Sequence, residues 1–293
     1  MSTLLSKLGL GTAQFSTGHG EPNPRGRPLE AEVGDILDIA ARSGLSVLDS
    51  AASFGQAEAL VGAHLPRPNP FRIGIRTARC DRGPDFIEQE ARASLRRLGV
   101  HQADAIMVQQ AGDLFGPHGQ DLWQRLLRLK DEGLFKHVGI SVYASDDPRG
   151  VAERFRPDII QVPASLLDQR LLIDGTLADI KALGIEVQLR SIFLQGILFL
   201  PPDRIPNGLK TASARLSRIR RMIAEGRSDP LQAALGFALS RPEASSVIVG
   251  VTTAAELSAI VCAALSPPPD LDWDDMALDD PVVLDSNRWD AVA

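Results

Sequence analysis

Short apolar runs alternate with longer segments of helical period from near the N-terminus to about residue 265. The runs Leu8–Thr12, Ser46–Ser50, Arg72–Thr77, Ala105–Gln109, His137–Val142, Ile159–Val162, Glu186–Ser191 and Ser246–Val251 predict strands, each bounded by polar residues, Gly or Pro. Ala105-Ile106-Met107-Val108 is apolar at consecutive positions, which suits a parallel strand buried on both faces. Between the strands, Glu30–Arg42 places Val33, Ile36, Leu37 and Ala40 on one stripe, and Asp85–Leu98 does the same with Phe86, Ala91 and Leu95. Asp121–Lys130 carries Leu122, Leu126 and Leu129; Thr253–Ala264 carries Leu257, Ile260 and Val261, with Thr252 or Thr253 available as its cap. Eight strand-then-helix units in series predict a closed (β/α)8 barrel of the TIM type, a single α/β domain over residues 1–265. An open doubly wound sheet is the alternative arrangement of the same elements.

Three segments break the rhythm. Ser16–Pro28 and Leu198–Leu209 are rich in Gly or Pro and read as loops after the first and seventh strands, which makes them candidate walls of a site. Pro267-Pro268-Pro269 opens an acidic tail, residues 266–293, whose Trp273 and Trp289 predict packing on the barrel.

The 293 residues suit one barrel, and the hydrophobic content of 44% supplies a large core. A net charge of −6 disfavours nucleic acid and anionic membrane surfaces as partners. Cys80 and Cys262 are too far apart in the chain for metal-ligand spacing, so no metal is expected and the reading is two reduced thiols. The N-terminus lacks a charged region before an apolar stretch, and no apolar run approaches the ~20 residues of a membrane span. The expectation is a soluble cytoplasmic protein.

Leu8-Gly9-Leu10-Gly11-Thr12, then Leu48-Asp49-Ser50-Ala51-Ala52-Ser53-Phe54-Gly55-Gln56-Ala57-Glu58 with Leu60-Val61-Gly62, are similar to the opening and the Asp-Thr-Ala-x-x-Tyr-Gly-x-x-Glu signature of aldo-keto reductases. Val138-Gly139-Ile140-Ser141, Gln195-Gly196-Ile197-Leu198 and Val247-Ile248-Val249-Gly250-Val251-Thr252 resemble that family's fifth strand, the segment after its seventh, and its phosphate-binding eighth strand and turn. The order is kept across residues 7 to 265. The resemblance implies carbonyl reduction with NADPH, in which a Tyr donates the proton, a Lys and an Asp tune it, and a His orients the carbonyl.

Asp49 matches the family's Asp, but Phe54 stands at the Tyr position, Arg76 at the Lys position and Gln109 at the His position. No Lys occurs in residues 71–80 and no His in residues 103–114; the chain's one Tyr is Tyr143, at the end of the fifth strand. Arg76 can pair with Asp49 but stays protonated, and Gln109 can still donate to a carbonyl oxygen. Asp49, Arg76, Gln109 and Tyr143 are therefore the candidate catalytic residues. On the cofactor side, Ser141 and Gln161 match the nicotinamide-amide ligands, Val142 replaces the usual Asn, and Arg190 stands where a Tyr usually underlies the ring. Gly250, Thr252 and Thr253 lead into a helix N-terminus whose N–H groups can cradle an anion. Ala254, Ala255 and Glu256 supply no basic side chain for a 2′-phosphate, so NADP is the implied cofactor at a weakened site.

Three readings stay open. One is a divergent NADP(H)-linked oxidoreductase acting on a small carbonyl or sugar-like substrate. The second is a redox-silent lyase or isomerase that uses Asp49, Arg76 and Arg190 on an anionic substrate. The third is a non-catalytic binding or regulatory barrel. In each case the expected partner is a small molecule, anionic because Arg190 has no evident carboxylate among the strand ends.

Overall fold

The structure, a computed structural model, describes residues 4–16, 26–285 and 289. Strands β1 (Leu8–Gly11), β2 (Val47–Ala51), β3 (Arg72–Arg76), β4 (Ala103–Val108), β5 (Phe135–Ser141), β6 (Ile159–Pro163), β7 (Glu186–Arg190) and β8 (Ala244–Gly250) pair in sequence order, and β8 returns to β1. Every pairing is parallel. The closed barrel is therefore observed rather than the open sheet. Each strand lies within two residues of its predicted start and end.

The helices that follow are α1 (Glu30–Ser43), α2 (Ala57–His64), α3 (Pro84–Leu98), α4 (Gly119–Asp131), α5 (Pro148–Phe155), α6 (Arg170–Ile173) and α7 (Thr176–Ala182). They continue with α8 (Ser213–Glu225), α9 (Pro230–Ser240), α10 (Ala254–Leu265) and α11 (Pro281–Leu284). Their boundaries follow local chemistry. Pro84, Pro148 and Pro230 stand in the first turn, where the missing N–H costs nothing. Gly44 and Gly99 close α1 and α3 in the left-handed conformation, at φ 81° and 68°. The Thr253 side chain caps α10 by accepting from the Glu256 N–H.

Two of the signature residues serve the fold. Glu58 on α2 is fully buried and accepts from Arg97 Nε of α3 at 2.7 Å. A Cβ at Gly62 would collide with the Arg97 carbonyl oxygen, so only glycine lets α2 close on the end of α3. The segment Ser16–Pro28, expected to be a loop, lies largely outside the described residues.

Residues 198–209 form short 3-10 turns, not an open loop. They lead into α8 and α9, which build a second apolar core beside the barrel. Leu166 and Leu167, after β6, join Leu216, Ile219 and Phe237 there. The acidic tail closes this core with Met276, Leu278, Val283 and Leu284. Arg170 ties the tail down: it donates to Asp168 at 2.8 Å and to Asp285 at 2.8 Å, and both carboxylates are buried. Asp168 above all, with Asp285, pushes the Arg170 pKa up.

No helix among the described residues is long and apolar enough to cross a membrane. None of their His, Cys, Asp and Glu side chains groups in threes that could hold a metal ion.

Candidate active site

The barrel interior is narrow and partly polar. At Gly139 of β5 a methyl group would stand 2.7 Å from Met107 Cγ and 2.8 Å from the Ile159 carbonyl oxygen, so glycine here makes room for Met107. Beside this apolar layer a chain of hydrogen bonds runs the length of the barrel. At the N-terminal end Arg72 donates to Asp104 at 2.9 Å and to Glu186 at 2.8 Å. Gln188 donates to Glu186 at 3.3 Å; Gln161 Nε2 donates to Gln188 Oε1 at 3.4 Å and to Asp49 Oδ1 at 3.2 Å. Arg76 Nη2 completes the chain by donating to Asp49 Oδ2 at 3.0 Å. A buried carboxylate in an apolar barrel needs such partners, and Asp49 has one on each oxygen.

Arg76 closes β3 and Arg190 closes β7, while Gln109 lies one residue past β4. Gln161 sits deeper, level with Ser141 of β5 in the strand register. Asp49, in the middle of β2, shares that depth rather than standing at the strand's last residue. Arg76, Gln109 and Arg190 thus stand at the C-terminal mouth, with Asp49 and Gln161 one layer below them. The Arg76 guanidinium also lies 4.8 Å over the Phe54 ring, filling the space beside the position where the family signature has its tyrosine.

Arg190 folds back on its own wall. It donates to the Val142 carbonyl oxygen at 3.0 Å and to Ser191 Oγ at 3.2 Å, with its guanidinium 4.4 Å over the Tyr143 ring. Burial pushes its pKa down and the Arg76 charge adds to this; Tyr143 and Asp49 oppose it. Tyr143 is only half buried.

Five side chains at or below the mouth keep a buried polar atom with no hydrogen-bond partner among the described residues: Gln14 Oε1, Arg76 Nε, Gln109 Oε1, Gln161 Oε1 and Arg190 Nε. Two are donors and three are acceptors. Both N–H bonds of Gln161 are spent on Asp49 and Gln188, which leaves its Oε1 as an acceptor for a ligand N–H. With Ser141 beside it, this end of the site fits a carboxamide of the nicotinamide type.

The other end is different. The expected anion cradle at Gly250, Thr252 and Thr253 carries the protein's own carboxylates. The Thr252 N–H donates to Glu256 at 2.7 Å, and Thr252 Oγ1 donates to the same carboxylate at 3.0 Å. The Ala254 N–H donates to Glu32 of α1 at 2.5 Å, and the Gln14 side chain lies directly against Gly250. The sequence showed Glu256 in place of a base. Glu32 and Gln14 were not found by sequence reasoning, since both reach the site from distant segments.

A closed parallel (β/α)8 barrel defines an enzyme scaffold, and likeness to known proteins defines which family uses it here. The Aldo/keto reductase family profile matches residues 7–277, and the chain belongs to that family. It is 29% identical over 232 residues to the NADH-specific methylglyoxal reductase of Escherichia coli K12, an alignment covering 70% of each chain. An aldo-keto reductase of Mycobacterium sp. strain MCS is 28% identical over 55% of this chain and 59% of its own length. Among solved structures, an aldo-keto reductase from Bacillus halodurans in its holo form superposes with a TM-score of 0.74 at 22% identity, over 92% of this chain and 89% of that one.

Proposed function

We propose that the chain is a nicotinamide nucleotide-linked reductase of small carbonyl compounds, favouring substrates with an anionic or strongly polar group beside the carbonyl. The observation that carries this is a set of two donors and three acceptors on side chains at or near the C-terminal ends of the strands of a family barrel, all buried and without hydrogen-bond partners among the described residues. The methylglyoxal activity in the name of the Escherichia coli relative supports a small oxo-aldehyde as the first substrate to test.

In this reading Gln161 Oε1 and Ser141 hold the nucleotide's carboxamide. A nucleotide held there would supply the hydride for the carbonyl carbon. Arg76 Nε and the Gln109 amide face the oxygen on which charge develops, the task the family gives to a lysine and a histidine. Asp49 keeps Arg76 in place. Phe54 has no proton to give, so Tyr143 takes the acid role: its Oη–H bond breaks as the proton passes to the substrate oxygen. The Arg190 cation beside the ring stabilises the phenolate left behind, and water restores the proton.

Tyr143→Phe tests this assignment. A loss of kcat of about 10²-fold or more, with nucleotide binding unchanged, supports it. Unchanged kcat assigns the proton to water. Nucleotide binding with no turnover of any oxo-aldehyde or oxo acid supports instead the non-catalytic barrel, which the Phe54 and Gln109 replacements favour.

A further inference from the structure

We infer that Glu256 and Glu32 make the site selective for a nucleotide without a 2′-phosphate, NAD(H) over NADP(H); the inference rests on the nucleotide reading above. In (β/α)8 barrels phosphate groups bind where the last strands hand over to a helix N-terminus, because unpaired N–H groups and the helix dipole favour negative charge there. In this chain that place is the start of α10, directly after Gly250 and Val251.

Its donors are engaged by the protein itself. Glu256 takes the Thr252 N–H at 2.7 Å and the Thr252 hydroxyl at 3.0 Å. Glu32 crosses from α1 to take the Ala254 N–H at 2.5 Å. Thr253 Oγ1 accepts the Glu256 N–H at 3.1 Å. Two carboxylates thus stand on the pole where an anion would be drawn, and α10 itself, Ala254–Leu265, contains no lysine or arginine. A phosphate monoester carries up to two further negative charges, so it meets repulsion from both carboxylates. A ribose hydroxyl can donate to either carboxylate, and a neutral donor is the natural partner for an acceptor already paired on one side. Glu32 bonds to the backbone across 222 positions of sequence and joins α1 to α10, so its carboxylate is fixed rather than free to swing away.

The test is a titration of the purified protein with NADH and with NADPH, followed by calorimetry, for the parent, Glu256→Gln, Glu32→Gln, the double variant and Glu256→Lys. The parent is expected to bind NADH about tenfold more tightly than NADPH, the combined size of two charges acting at a helix N-terminus near the surface. The double variant should lose about tenfold of that ratio through tighter NADPH binding. Glu256→Lys should strengthen NADPH further. Equal affinities in the parent, or a ratio unchanged in every variant, overturn the selectivity while leaving the nucleotide site intact. Binding of neither nucleotide overturns the nucleotide reading itself, and the selectivity with it.

Discussion

Arg76 gives Asp49 one hydrogen bond, Nη2 to Oδ2 at 3.0 Å, and keeps its Nε without a partner among the described residues. One guanidinium is thereby divided between holding the barrel and facing its mouth. The pair is nearly dry: the side chains are 12% and 4% exposed. Removing the carboxylate alone strands a buried cation, which typically costs about 3–5 kcal/mol. Asp49→Ala should therefore lower stability by that amount in urea unfolding, with Gln161 losing an acceptor as well. Asp49→Ala combined with Arg76→Met should recover most of the loss, because both charges are then absent. Equal stability of parent and Asp49→Ala would mean the pair does not hold the barrel.

The second core gives a local counterpart. Arg170 joins Asp168, just after β6, to Asp285 in the tail, and both carboxylates are almost completely buried. Arg170→Met should release the tail: limited proteolysis is expected to cut after residue 265 while the barrel stays resistant. The global cost is expected at about 3 kcal/mol. Cleavage no faster than in the parent would show that Met276, Leu278 and Leu284 hold the tail without the ionic clamp.

The strands were legible because a parallel barrel buries both faces of each one, so strands such as β4 read as continuous apolar runs. Asp49, Arg76 and Gln109 were found through the family resemblance, Asp49 from the signature after the second run and the other two from the family's positions at the ends of the third and fourth runs. What the sequence could not carry was partnership between distant segments. Glu32 lies on the solvent side of the α1 stripe and reads as an ordinary surface acid, yet it bonds to Ala254. Arg190 read either as an uncompensated charge or as a side chain folded onto an aromatic or a carbonyl, and the choice of the Val142 carbonyl and the Tyr143 ring depends on β7 and β5 lying on one wall. Gln188 and Glu186 look like polar interruptions of β7; they belong to the hydrogen-bond chain through the barrel. The helices α8 and α9 bury their faces on the tail and on turns rather than on the barrel alone, so their stripes had no visible partner.

Glu88 on α3 accepts from Arg125 at 2.6 Å and Arg92 at 2.9 Å, and Arg92 also reaches Glu132. The Arg125 hydrogen bond, with Arg92 behind it, pulls the Glu88 pKa below its ordinary value of 4.5. A depressed carboxylate contributes stability above its unfolded pKa and loses it as pH falls through the folded one. Glu88→Gln should thus cost about 0.5 kcal/mol at pH 7, the screened worth of a partly exposed network. The difference from the parent should shrink steadily below pH 4.5, and should also shrink in high salt. A gap that stays constant from pH 7 to pH 3 would assign it to packing rather than charge.

Arg190 carries the sharpest expectation for ligand chemistry. Asp49 answers Arg76, but no carboxylate among the described residues pairs with Arg190; its bonds go to a carbonyl, a hydroxyl and an aromatic face. Burial and the neighbouring Arg76 charge both work against its cation, as the lowered pKa records. A bound anion would relieve that penalty and could use the buried, unpartnered Nε. Glu32 and Glu256 stand on α1 and α10, outside this wall of the mouth, so their charges do not bond to Arg190. Pyruvate and inorganic phosphate are suitable probes, with acetone as the neutral control. Calorimetry should show Arg190→Gln binding pyruvate about tenfold or more weakly than the parent, the loss of one charge-assisted hydrogen bond of roughly 1.5–3 kcal/mol. Acetone, which has the same carbonyl without the charge, should be bound alike by both. Equal affinity of parent and Arg190→Gln for every anion would reduce Arg190 to a support for the Tyr143 ring.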